Sequence, residues 1–368
     1  MGVRMIYPVL LPHLRTTYDL DLTTSGFLLT VLFLAYAIGQ LPSGMLADRI
    51  GEQLILTLSM LMSAVTLTLV VSASSPGVLF AATALFGFGA ALYAVARYTI
   101  IPQLYPDNIG TANGVTAASQ DAGQSVLPPL AGLIAASFIW QLGFAFTIPL
   151  FLLMAVVLWR IVPHQPSMSK DSADTLSFEG ARYMSLVLRQ PAVVYPTSVL
   201  ILGLCIWQAF TSFYPTYLVE VKGLSTTVAG IMFGLFFALG ILIKPLSGGA
   251  YDRIGIRHSL MIVASGPVIA FISLPLFDGF WALVIITVFV STLLGFATIT
   301  EPYLLETLPD DVRGTGFGIL RTIAFMIGAL SPVFFGGAAD RGFFDEAFVV
   351  LAAVAGTMVL LAIRIPEK

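Results

Sequence analysis

Residues Pro42–Gly51 read PSGMLADRIG, and residues Leu246–Gly255 read LSGGAYDRIG. The two copies lie 204 positions apart. The same offset carries Gly26 onto Gly230, Gly110-Thr111 onto Gly314-Thr315, Gly114 onto Gly318, Pro128 onto Pro332 and Gly132 onto Gly336. One constant offset over most of a half-chain marks a duplicated unit of several helices. Internal duplication of that size is a hallmark of transporter folds, whose solute site lies near mid-membrane where the copies face each other.

Composition agrees with a chain that lives in lipid. Of 368 residues, 58% are hydrophobic and 10% charged, with mean hydropathy +0.95. A water-soluble protein of this length needs more charge to cover its surface. The net charge of −3 supplies no basic field for nucleic acid. The single cysteine, Cys205, excludes an intrachain disulfide and has no metal-ligand spacing around it. No metal or other cofactor is implied.

A spanning helix needs about 20 mostly apolar residues. Such stretches run over 22–47, 53–74, 77–101, 112–138 and 144–162, and again over 192–218, 224–250, 259–277, 280–303, 314–339 and 347–365. Ahead of them stands a shorter segment, Met1–Leu14, which at about 1.5 Å per residue reaches only about 21 Å of a hydrocarbon core roughly 30 Å thick. The expectation is that the natural chain starts upstream, with about 10–20 further residues completing this span. The longest polar stretch, 163–190, predicts a solvated linker. The organisation is thus a first bundle over 1–162, a linker over 163–190 and a second bundle over 191–368. With the Asp-Arg-Ile-Gly loops placed in the cytoplasm, Arg49, Arg160, Lys170, Arg182, Arg189, Arg253, Arg257, Arg313, Arg364 and Lys368 fall inside. Only Arg15, Lys222 and Arg341 fall outside. The excess of inside cations predicts a plasma-membrane protein with both termini cytoplasmic.

Gly44-Met45-Leu46-Ala47-Asp48-Arg49-Ile50-Gly51 resembles the motif that joins helices 2 and 3 in the major facilitator superfamily, and Gly248–Gly255 resembles its second copy between helices 8 and 9. The resemblance spans nearly the whole chain. It implies an all-α polytopic fold of two pseudo-symmetric six-helix bundles that rock about a central cavity lined mainly by helices 1, 4, 7 and 10. It also implies a gating role for Gly44, Asp48, Arg49, Gly51, Gly248, Asp252, Arg253 and Gly255. Glu52-Gln53 stand where the family usually has basic residues; Arg257 partly keeps the pattern in the second copy. Gly123–Gly132 is similar to the helix-5 Gly-Pro motif of family antiporters, departing from it at Leu127 and Ala131. The stripe Gly114, Ala117, Ala118, Asp121, Gln124, Ser125 and Pro128 predicts a close-packed seam.

Ionisable side chains inside the bilayer cost about 2.5–3.5 kcal/mol each at mid-depth, so each needs a reason. Arg4 aligns by the repeat with Gln208; with Tyr7 one turn away and Trp207 beside Gln208, these are the candidate substrate-binding residues. Arg97 aligns with Glu301, and partners within reach are Asp121 for Arg97 and Arg321 for Glu301. These four are candidates for charge pairing or proton coupling. Lys244 sits near a helix end, where snorkelling accounts for it. Intramembrane charge is therefore Arg4, Arg97, Lys244 and Arg321 against Asp121 and Glu301, an excess that tilts toward an anionic or polyhydroxylated solute. No Gly-rich Lys-Ser/Thr phosphate loop exists, and no nucleophile–base–acid trio lies at one depth. The expected activity is therefore not enzymatic. It is secondary transport of a small solute by alternating access, by a monomer, with coupling to H+ or Na+ left open. The alternatives are efflux of amphipathic compounds by proton antiport and a non-transporting receptor on the same fold.

Overall fold

The computed structural model describes residues 2–105, 108–163, 190–309 and 313–366. A 3-10 turn, Gly2–Met5, leads into α1 (Ile6–Tyr18). There follow α2 (Leu22–Ile50), α3 (Glu52–Val71), α4 (Pro76–Leu104), α5 (Ile109–Ser137) and α6 (Ile148–Ile161), the last preceded by a single turn, Leu142–Ala145. α7 is Pro191–Glu220. Thr226–Leu276 is one hydrogen-bonded run bent at Gly255, giving α8 (226–254) and α9 (256–276). α10 consists of Phe280–Ser291 and Phe296–Thr307 with a 3-10 turn, Thr292–Gly295, between them. α11 consists of Arg313–Ala329 and Ser331–Asp340, broken at Leu330, and α12 is Phe344–Ile363. Nine of these helical runs, among the described residues, are long and apolar enough to cross a membrane, the 51-residue run included.

Local chemistry sets the boundaries. α1 ends at Asp19, which adopts the left-handed conformation (φ 53°) and donates its N–H to the Arg15 carbonyl. Two residues later the Asp21 carboxylate accepts the Thr24 N–H at 2.6 Å and caps α2; that bond holds its carboxyl below the usual carboxylate range. Ser75 caps α4 through the Val78 N–H, with Pro76 in the first turn. The expected span 144–162 is interrupted because Pro149 has no N–H to give the Ala145 carbonyl, so the chain turns at Phe146-Thr147 and restarts as α6. At about 1.5 Å per residue a straight 51-residue helix would be about 77 Å long, more than twice the hydrocarbon thickness. Gly255 (φ 74°) bends it, and Gly51 (φ 85°) turns α2 into α3 at the repeat-related place.

By packing, the chain falls into two compact units. The first comprises Met1–Ser169 together with Thr211–Gly234 and Pro332–Gly337; the second comprises Lys170–Phe210, Leu235–Ser331 and Ala338–Lys368. The linker expected over 163–190 lies almost wholly outside the described residues. In the first unit α2 packs on α4, α4 on α3, α3 on α6 and α1 on α5. Tyr7, Phe86, Phe144 and Trp140 form a chain of edge and stacked ring contacts through it. In the second unit Phe210, Phe236, Phe271 and Phe348 do the same. There the segment after α12 folds back, with Ile365 fully buried: Arg257 donates to the Ile365 carbonyl at 3.1 Å and the Tyr303 hydroxyl to the Pro366 carbonyl at 3.3 Å.

Inside the first unit the repeat-related residues meet. A Cβ on Gly26 would collide with the Pro332 carbonyl, and one on Gly336 with the Leu22 carbonyl. At the counterpart positions a Cβ on Gly230 would stand 3.6 Å from the Pro128 carbonyl oxygen and one on Gly132 3.3 Å from the Thr226 carbonyl oxygen. Each contact is its partner shifted by 204 positions at both ends. The duplicated glycines and prolines are therefore the residues at which α2 meets α11, with backbones too close for a side chain, and at which α5 meets α8 less tightly. The stripe on α5 behaves as a seam only in its second half. Gly234 packs on the Ser125 carbonyl and Pro129, whereas Gly114, Ala117 and Ala118 are exposed. Arg15 of α1 closes the same end of the unit by an ion pair with Glu220 of α7.

Gly336→Ala is expected to destabilise the protein by about 1–3 kcal/mol through overpacking against backbone. Gly356→Ala on α12, where a Cβ meets nothing within 4 Å, should be neutral or stabilising by up to about 1 kcal/mol. Thermal unfolding of the two detergent-solubilised variants checks the contrast.

Candidate substrate site

The 3-10 turn at the head of α1 exists to carry Arg4. Gly2 lies so close to the Gly123 carbonyl of α5 that a Cβ would clash, and this seats the turn against α5. Arg4 is 5% exposed, and its guanidinium carbon lies 3.8 Å from the ring centroid of Tyr36 on α2. Stacking of this kind stabilises a desolvated cation by about 2 kcal/mol. Arg97 on α4 is 9% exposed, and its Nη1 donates to Gln120 Oε1 on α5 at 3.1 Å. The two arginines are near enough for their charges to act on each other.

Both arginines line a cavity of about 410 Å³ within the first unit. The other walls include Ser59 and Ser63 of α3, Tyr93 of α4, and Thr116, Ser119 and Gln120 of α5, with Phe86, Phe151 and Met154 supplying apolar surface. Ser59 spends its hydroxyl donor on the α3–α4 contact, donating to the Gly89 carbonyl at 2.7 Å. The cavity thus presents two fixed cations and a belt of hydroxyl and amide groups. Among the described residues of this unit the buried acidic and basic side chains are Arg4, Arg97 and Asp121, an excess of positive charge in a low-dielectric interior.

The remaining expected residues fall as follows. Tyr7 is fully buried and its hydroxyl meets Thr83 Oγ1 at 3.3 Å, so it belongs to the aromatic core beneath Arg4 rather than to the cavity wall. Gln208 belongs to the second unit, fully buried against Gly328, with Nε2 3.5 Å from the Phe325 carbonyl; Trp207 beside it is half-buried. Of the expected charge partners, Glu301 and Arg321 are joined, Nε to Oε1 at 3.2 Å. Arg97 is joined to Gln120, the neighbour of Asp121. Lys244 is half-buried. The side chains of Gly44 and Asp48 lie outside the described residues. Arg49, Asp252 and Arg253 are exposed, and a Cβ on Gly248 would meet open space.

Tyr36, Gln120 and the α3 serines were not singled out by sequence. Tyr36 is a polar ring in an otherwise apolar run, and Ser59 and Ser63 are one turn apart on one face; both are signals that become specific only once α1 is docked. Tyr36→Phe keeps the ring face but removes the hydroxyl that hydrogen-bonds Arg4, so it is expected to lose about 1.5–3 kcal/mol. Tyr36→Leu, which also removes the ring face, should lose roughly a further 1–2 kcal/mol. Melting curves of both variants in detergent decide it.

Comparison with known proteins agrees with this architecture. The family model described as Major Facilitator Superfamily matches residues 1–332. The chain is 24% identical to the hexuronate transporter of Bacillus subtilis (strain 168), covering 96% of this chain and 88% of that protein. It is 25% identical to the probable galactarate/D-glucarate transporter GudP of the same organism, over 93% and 83%. It is 24% identical to the probable nitrate transporter NarT of Staphylococcus aureus (strain Newman), over 96% and 89%. Among solved structures, the nucleoside transporter NupG superimposes with a TM-score of 0.79 at 14% identity, covering 100% of this chain and 97% of that one, which bears on the fold alone. The duplicated halves, the glycine elbows at Gly51 and Gly255 and the match over most of the length lead to one family: this chain is a multi-pass membrane protein, not an enzyme, and belongs to the Major Facilitator Superfamily.

Proposed function

We propose that this protein is a secondary transporter that moves a small polyhydroxylated carboxylate, a sugar acid, by alternating access. The observation that carries the proposal is the pair of buried arginines, Arg4 and Arg97, at one cavity. Two like charges held close in a low-dielectric interior repel, and an anion between them turns that repulsion into two charge-assisted contacts. A carboxylate suits the planar guanidinium fork, and the surrounding hydroxyl and amide groups suit a solute with several hydroxyls of its own. Nitrate would use the arginines and leave that polar belt without a role. That three named relatives carry anions, two of them sugar acids, supports the class.

The gating parts follow from the elbows and the glycine contacts. The Arg15–Glu220 pair and the four glycine–carbonyl contacts hold one end of the first unit closed, and rocking requires them to part. The exposed Asp252 and Arg253 by Gly255, with the corresponding loop at Gly51, would control the opposite, cytoplasmic end. In this reading both termini are cytoplasmic, Arg15 is outside, and the working unit is a monomer in the plasma membrane. The bundles would be 1–162 and 191–368, joined by a solvated linker.

The test is counterflow of labelled D-glucuronate in proteoliposomes. The wild type is expected to exchange it. Arg4→Gln and Arg97→Gln should each cut exchange at least about tenfold, the loss of one charged hydrogen bond of about 1.5–3 kcal/mol. Exchange of nitrate but not of glucuronate would refute the sugar-acid class. Absence of any exchange, with ligand binding retained, would favour a receptor. Expulsion of amphipathic dyes without anion exchange would favour efflux.

A further inference from the structure

The cavity around Arg4 and Arg97 has walls of two kinds, and a plain sugar acid uses one of them. α5 contributes Thr116, Ser119, Gln120 and Gly123, a spacing that sets them on one face of the helix. Thr116 and Ser119 donate their hydroxyls to the Ala112 and Val115 carbonyls, both at 2.8 Å. Their oxygens keep lone pairs for hydroxyl donors inside the cavity. α6 contributes Phe151, Met154 and Leu158, again one face of a helix and wholly apolar. A free hexuronate would use the arginines and α5 and leave the α6 side without a role.

Lipid does not account for that side. The α6 residues that hydrocarbon requires to be apolar are Leu152, Leu153, Val156 and Trp159, exposed on the opposite face of the helix. Phe151 and Leu158 are half-buried. Phe151 meets Phe86 of α4 edge to face, ring centroids 6.4 Å apart, and Phe86 stacks on Tyr7 at 6.0 Å. The aromatic core of the unit therefore surfaces at the cavity as a corner of two rings. Met60 of α3 and Met154 also line the cavity, and unbranched thioethers adapt to apolar ligands of differing shape. A third ring packed at about 4.5–7 Å from the corner gains both apolar burial and a favourable edge or offset contact. The cavity of about 410 Å³ falls in the range of about 300–1,000 Å³ that encloses drug-sized ligands.

We propose that the preferred cargo is a sugar acid bearing an aromatic aglycone on its anomeric oxygen, an aryl glycoside of a uronic acid. In a pyranose uronic acid the carboxyl-bearing carbon and the anomeric carbon flank the ring oxygen, so carboxylate and aglycone diverge and the free hydroxyls lie along the opposite edge. The carboxylate takes Arg4 and Arg97, the hydroxyls take the α5 face, and the aromatic ring takes Phe151, Phe86 and the two methionines. Charge fixes the acid end of the ligand and apolar contact selects its other end. This rests on the sugar-acid function proposed above, and the two are separable, because an unconjugated uronate tests the arginines without testing α6.

The experiment uses the full chain in proteoliposomes loaded with unlabelled phenyl β-D-glucuronide, methyl β-D-glucuronide or D-glucuronate, and follows entry of labelled D-glucuronate in exchange. The two glycosides share the acid, the hydroxyls and the glycosidic oxygen and differ in the aglycone. The phenyl glycoside is expected to drive half-maximal exchange at about one-tenth the concentration of the methyl glycoside, a difference of about 1.4 kcal/mol. Phe151→Leu keeps an apolar side chain and loses the ring, and Met154→Ala loses the adaptable surface. Each should bring the two concentrations to within about threefold of each other. Arg97→Gln should raise both concentrations and keep their ratio. Equal concentrations in the wild type overturn the proposal, as does a phenyl glycoside that blocks exchange without driving it, or a ratio unchanged in both Phe151→Leu and Met154→Ala. Exchange driven by internal D-glucuronate and by neither glycoside overturns this proposal alone. A wild type that exchanges none of the three fails the sugar-acid function itself. Should one variant not reach the membrane, the other and the wild-type ratio still decide.

Discussion

Two guanidinium groups are buried in one apolar bundle within reach of each other's charge, and the first unit is arranged around keeping them there. Arg4 rests on the face of Tyr36, and Arg97 is held by Gln120. The ring face and the amide each lower the penalty of burial. Had the interior been selected for stability alone, apolar side chains of similar volume would serve as well or better. In the proposed function these two cations, at a cavity lined with hydroxyl groups, receive an anion.

Stability comes instead from backbone proximity. Where Gly26 meets the Pro332 carbonyl and Gly336 meets the Leu22 carbonyl, helices approach to a distance that no side chain permits. In lipid, where apolar side chains gain little from leaving one apolar medium for another, close packing of small residues is the main adhesive between helices. In the proposed alternating-access cycle the same surfaces must separate. A seam made of small, non-interlocking residues and one ion pair, Arg15–Glu220, can part without repacking large side chains. The paired set, Gly230 with Pro128 and Gly132 with Thr226, is looser by about an ångström or more, so the two symmetry-related contacts are not equally tight.

The fold was legible in the sequence because both of its determinants are local or periodic. Apolar run length fixes the spans, and a constant offset of 204 exposes the duplication. Of the residues that the offset aligned, Gly26, Gly132, Gly230, Gly336, Pro128 and Pro332 are contact points between helices, whereas a Cβ on Gly114 or Gly318 meets nothing within 4 Å. Among Lys and Arg near helix ends the offset aligns Arg49 with Arg253 and Arg160 with Arg364 and leaves the others unmatched. The site was legible only in part. Burial cost singles out Arg4, Arg97, Asp121, Glu301 and Arg321, and the Glu301–Arg321 pair follows from their spacing on neighbouring helices. Tyr36, Gln120, Ser59 and Ser63 depend on how α1 docks against α2, α3 and α5. Tyr7 illustrates the limit: one turn from Arg4 along the helix, it nonetheless turns into the aromatic core, because a 3-10 turn lies between them and resets the angular register.

The central claim is that the cavity selects its solute by negative charge. The most direct measurement compares binding of D-glucuronate with that of D-glucuronamide, its neutral isostere, by calorimetry on the detergent-solubilised wild type. The account predicts that glucuronate binds at least about tenfold more tightly, a difference of about 1.4 kcal/mol or more. Equal affinity for acid and amide would contradict it.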